Sequence, residues 1–237
     1  GHARHHASRA RHRRGHGRSR CAPQSHSPQN SSSRACVAGL RRSAPGPARR
    51  RHGAPSRAAA SAERAAAQRR AAIARALATP CENTQITPEP TNLESARAAV
   101  LCLINHQRAQ NGEEPLVVDP RLQSAAEAHV EELISADYFA HVSPSGVTPV
   151  DRIRATGYIP GPEFGYLIGE NLAWGTLTLS TPQTIVEAWM ASPEHRANIL
   201  EGRYVDTGIG ITPSVPASLS GGSPGATYAQ EFGTITS

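Results

Sequence analysis

Lysine is missing altogether: all 25 basic residues of the 237-residue chain are arginine. Acids are nearly missing from residues 1–80, where Glu63 alone stands against 18 arginines, and aromatic residues are missing there entirely. A charge near +17 with no Phe, Trp or Tyr to stack on a base gives no sign of sequence-specific reading of nucleic acid. It leaves only salt-dependent attraction to polyanions. Large apolar residues are scarce in the same segment, so it can bury too little surface to offset its ordering entropy. Residues 1–80 are therefore expected to be disordered, and either a leader or outside the mature protein. The run Ala71–Ala78 ends in an Ala-x-Ala pattern, but Arg75 interrupts it, and it reads as Ala/Arg low complexity rather than as a signal peptide. No stretch approaches the roughly 20 apolar residues of a membrane span, so no transmembrane segment is expected.

Residues 81–237 differ in kind, with 7 arginines against 18 acids and regular apolar spacing. That length is ample for a single core. Two of the four cysteines, Cys21 and Cys36, fall in the arginine-rich segment. Cys81 stands just ahead of the folded part and Cys102 within its first helix. A Cys81–Cys102 bridge would close a loop of about 20 residues, stabilise by about 3 kcal/mol in the chain-entropy model, and imply an oxidising compartment.

Helix starts are signalled repeatedly. Asp119-Pro120, Thr148-Pro149, Thr181-Pro182 and Ser192-Pro193 each pair an N-cap oxygen with proline at the first helical position. Helices are expected over about 93–110, 120–136, 149–156, 182–190 and 193–199. Alternation predicts strands at Thr207–Thr212 and Tyr228–Phe232, with a third including residues 166–173 and a loop over Ser218–Gly225. The fold class expected is α+β: a small, mainly antiparallel sheet covered by helices in a sandwich.

Four histidines remain in the folded part. His106 reads as solvated or capping, and His129, on the apolar stripe of its helix, as a core histidine rather than a ligand. His141 follows a helix exit among Tyr138 and Phe139. His195 occupies the first turn of a helix, where the dipole favours the neutral imidazole that binds metal. Glu170, between Gly169 and Gly175, is read as a carboxylate aimed by two glycine-permitted bends, or as a turn cap. No His-Glu-x-x-His, Cys-x-x-Cys or Walker-type loop is present.

Asn105–Ala109, Phe139–Pro144, Asp151–Ile153, Gly169–Ala173, Ala188–Leu200, Gly208–Gly210 and Gln230–Gly233 occur in an order that resembles the CAP superfamily, the cysteine-rich secretory, antigen 5 and pathogenesis-related proteins. The likeness is greatest to the bacterial branch of secreted SCP domains. It implies a three-layer α-β-α sandwich over 81–237, secreted to the extracellular space, with a cleft where two histidines and two acids converge. Carried over, the histidines are His141 and His195 and the first acid is Glu170; these would hold a divalent metal, with zinc first among candidates. The second acid falls where this chain has Ser192, with Glu187 and Glu194 nearby but offset. The resemblance also implies a monomeric binding module for an extracellular lipid, peptide or cell-wall component. The alternative is a metal-dependent hydrolase with Glu170 as ligand or general base.

Overall fold

The computed structural model describes residues 56–236. Helix α1, Arg57–Ala78, is capped by Ser56, whose side chain accepts from the Ala59 amide. The disorder expected for residues 1–80 thus fails over this stretch, while residues 1–55 lie outside the described residues. Ala, Arg, Gln and Glu all favour helix, and this intrinsic preference builds α1 although it buries no residue. Cys81 and Cys102 form the expected disulfide, which fastens the chain after α1 to α2, Leu93–Gln110.

Strand β1 (Val117–Val118) leads into α3 (Pro120–Ser135), then α4 (Pro149–Ala155), β2 (Gly165–Thr176), α5 (Pro182–Ala191), α6 (Pro193–Ile199), β3 (Asp206–Thr212), the short α7 (Ala217–Ser220) and β4 (Gly225–Thr236). All four proline-marked helix starts are present. Asp119, Thr148 and Thr181 cap through their side chains, and Thr148 with Asp151 forms a full capping box; Ser192 holds the N-cap position without a side-chain bond.

The sheet has the order β1-β3-β4-β2. Its long pairs, β2 with β4 and β3 with β4, are antiparallel; the two-residue β1, not foreseen in the sequence, runs parallel to β3. Period-two alternation divides β4 between two cores. Tyr228 and Phe232 face α2, α5 and α6 with Ile104, Trp189 and Ile199. Ala229 faces α3 with Ala126, Val130 and Leu133, joined by Leu172 of β2. Helices thus cover both faces, as a three-layer sandwich requires. Gly208 allows α3 to lie against β3: a Cβ there would sit 2.1 Å from the Leu122 carbonyl carbon. Gln123 of α3 then bonds both backbone groups of Ile209.

Arg108 locks the α2 end of the molecule. Wholly buried, its guanidinium donates to the carbonyls of Glu114, Ile199, Glu201 and Tyr204. Burial lowers its pKa, but arginine stays charged at any physiological pH.

Candidate functional site

On the α3 face of the sheet, Glu170 of β2 and Glu231 of β4 are directly paired in the strand register. Glu170 lies inside a continuous strand rather than between bends. Gly169 serves proximity instead, since a Cβ there would meet the Tyr204 hydroxyl at 2.4 Å.

Both Glu170 oxygens are engaged. Oε1 lies 2.6 Å from His141 Nδ1, and Oε2 accepts from Arg152 Nη2 at 2.9 Å. The same Arg152 nitrogen donates to the His141 carbonyl at 2.8 Å, so α4 fixes the loop that carries the imidazole. The Glu170 side chain is 2% exposed, Arg152 7% and His141 13%, which makes His141 the most solvent-facing of the three. Burial works to raise the Glu170 pKa, but the His141 hydrogen bond, the neighbouring His129 ring and the Arg152 charge outweigh it and hold Glu170 ionised. Glu231 goes the other way: burial first, then the neighbouring Glu170 charge, push it well above the usual carboxylate range, so it keeps its proton. Two like carboxyls in one dry place cannot both ionise.

His129, a buried core residue as expected, adjoins this network. Its Nε2 is 3.6 Å from Glu170 Oε2 and its Nδ1 3.8 Å from Glu132 Oε2. Burial lowers its pKa and favours the neutral ring. From Glu132 the polar chain runs outward: Ser143 Oγ donates to Glu132 at 2.7 Å, and Tyr138 OH donates to Ser143 Oγ at 3.2 Å.

His195 is completely buried on α6, which is tied to β2 beside Glu170. Asn171 Nδ2 donates to the His195 carbonyl at 3.2 Å, and Asn198 Nδ2 donates to the Glu170 carbonyl at 3.3 Å. Glu187 and Glu194 are exposed, and Ser192 is half-buried at the α5–α6 junction. The second buried acid at the site is Glu231, within the quoted Gln230–Gly233 segment. A carboxylate in a strand covered on both faces was the available signal. Arg152, also in a quoted segment, was likewise unassigned; a charged residue inside an apolar helical turn marks it.

A carboxylate on Nδ1 is the arrangement in which a neutral imidazole would turn Nε2 to a divalent metal, and His141 has that arrangement with Glu170. The donor chemistry therefore fits such an ion through imidazole, with Glu170 as the support of His141 rather than as a ligand. Among the described residues, one group of three or more ligating side chains has its ligand atoms within 4.8 Å of one another: Cys81, Cys102 and His106. His141, Glu170 and His195 do not form such a group. Gly221–Gly225 spells Gly-x-Ser-x-Gly, but Ser223 lies between α7 and β4, a helix-to-strand turn rather than the strand-to-helix elbow of a hydrolase nucleophile.

The family model described as CAP, the cysteine-rich secretory protein family, matches residues 101–216. YkwD of Bacillus subtilis (strain 168) is 32% identical over 141 residues, covering 59% of this chain and 51% of that protein. The membrane protein YlbC of the same organism is 29% identical over 112 residues, covering 47% of this chain and 30% of that protein. The chain thus spans about half or less of the curated relatives it matches. An extracellular protein containing a SCP domain from Bacillus anthracis str. Ames aligns with TM-score 0.45 at 23% identity, covering 67% of this chain and 44% of that one. An outer surface protein from Borrelia burgdorferi aligns with TM-score 0.46 at 18% identity, covering 63% of this chain and 98% of that one. No helix among the described residues is long and apolar enough to cross a membrane.

Proposed function

Because residues 101–216 match the CAP family model, we propose that this chain is a secreted CAP-type binding module whose cleft takes a divalent cation, zinc first, through the imidazoles of His141 and His195. The observation that carries the reading is the 2.6 Å contact between His141 Nδ1 and Glu170 Oε1. A carboxylate on one ring nitrogen selects the tautomer, orients the ring and raises the basicity of the other nitrogen. Arg152 and protonated Glu231 then keep Glu170 a fixed anion with no freedom to swing out as a ligand. A bound ion would supply an electrophilic point for a carbonyl, phosphate or carboxylate group of an extracellular ligand. The disulfide supports an oxidising location.

The hydrolase alternative draws on the neighbouring carboxyls of opposite protonation, a pattern that acid–base pairs use. The side chains of both are buried, however, and their hydrogen bonds and charges go to fixing His141 rather than to solvent. Binding is the better reading.

Calorimetric titration of Zn²⁺ into the oxidised full chain tests it. One site is expected, lost in both His141→Ala and His195→Ala; binding that survives both substitutions removes the proposal. Zinc-dependent turnover of peptide or ester probes that requires Glu170 would instead establish the hydrolase.

A further inference from the structure

Away from the cleft, on the α1–α2 side, Cys81, Cys102 and His106 each place a ligand atom within 4.8 Å of the others, and all three are half-buried. Cys102 and His106 are four residues apart on α2 and so share a face; the disulfide brings Cys81 to it. His106 Nε2 lies 2.6 Å from the Thr79 carbonyl oxygen. A carbonyl only accepts, so Nε2 carries the proton and Nδ1 keeps the lone pair. An imidazole anchored by its far N–H on a carbonyl is the usual arrangement of a metal-binding histidine. Thr79, Cys102 and His106 also line a cavity of about 630 Å³ between α1 and α2, roomy enough for an ion and its water.

We propose that, once the disulfide is reduced, Cys81, Cys102 and His106 form a zinc site of two thiolates and one imidazole, with water in the fourth position. The reductant is an external dithiol. Its thiolate attacks one sulfur, the Cys81–Cys102 bond breaks through a mixed disulfide, and the second thiol of the reductant closes its own disulfide. Two electrons pass to the protein, which then holds two thiols. Zinc displaces one proton from each thiol to solvent and keeps its own oxidation state. Thiolate and imidazole are the donors zinc prefers. The site shares no residue with the His141 cleft, so either can fail without the other.

The test uses the full chain with Cys21→Ser and Cys36→Ser, so that only Cys81 and Cys102 report. Zinc uptake is measured against a chromophoric chelator, before and after reduction by a phosphine. The reduced protein is expected to take one more equivalent than the oxidised one and, with Co²⁺, to gain a thiolate-to-metal charge-transfer band. His106→Ala should weaken that extra equivalent by more than about tenfold, the least that follows from losing even a supporting partner of a ligand. Alkylation read by mass spectrometry should find Cys81 and Cys102 protected by zinc with His106 present and unprotected in His106→Ala. Equal uptake before and after reduction overturns the proposal. So does alkylation indifferent to zinc, which is also what a chain that loosens on reduction would give.

Discussion

Glu170 and Glu231 face each other across the β2–β4 ladder as an ionised and a protonated carboxyl. Their opposite shifts give opposite pH dependences. Glu231 has a folded pKa above its ordinary 4.5, so its contribution is fully present below about pH 4.5 and is lost as pH rises through the folded value. Glu170 is held below 4.5, so its contribution is present above that pH and is lost as pH falls through about 2. In Glu231→Gln the amide replaces the protonated carboxyl. Urea unfolding from pH 5 upward should find that this variant lacks a downward slope of about 1.4 kcal/mol per pH unit seen in the parent. Parallel curves for the two proteins would mean that Glu231 is ionised when folded.

Arg152 balances the Glu170 charge and holds the His141 carbonyl. Arg152→Ala strands a buried carboxylate and should cost about 3–5 kcal/mol in chemical denaturation. It should also raise the pKa of Glu170. A loss under about 1 kcal/mol would mean that water replaces the guanidinium.

Supporting and ligating roles differ in size. Glu170→Gln keeps a hydrogen-bond partner for His141 but removes the charge, so Zn²⁺ affinity should fall about 10–100-fold rather than vanish. Complete loss, equal to that of His141→Ala, would make Glu170 a direct ligand.

Arg108→Met leaves four backbone carbonyls without their donor and should destabilise by at least about 3 kcal/mol. Arg108→Lys should recover little, because one ammonium cannot span the same oxygens. Thermal unfolding of the two variants checks this: near-parental melting of the lysine variant would show that charge alone suffices.

Helix positions were legible because proline and a capping oxygen are local signals. The boundaries Leu93–Gln110 and Pro193–Ile199 agree with the sequence reading. Strand lengths were not: β4 runs over Gly225–Thr236, well past the alternation at Tyr228–Phe232, because pairing with β2 rather than its own pattern sustains it. Helix α1 was missed for a different reason. Low hydrophobicity by itself predicts disorder, yet the same Ala/Arg composition has high intrinsic helicity. At the site, His141 and Glu170 were found together as expected. Glu231 and Arg152 were passed over because nothing along the chain reveals which strand neighbours will meet face to face. His129 is buried on its helical stripe as expected, and the same stripe brings it within 3.6 Å of Glu170.

The covalent bond between residues 81 and 102 has a bearing on processing. It pins the chain to α2 downstream of α1, whose polar hold on the domain includes the exposed pair Arg69–Glu113 at 3.4 Å, of a kind worth little in water. A protease cutting between α1 and Cys81 would therefore shed the arginine-rich stretch while the sheet and its helices stayed fastened at their first residue.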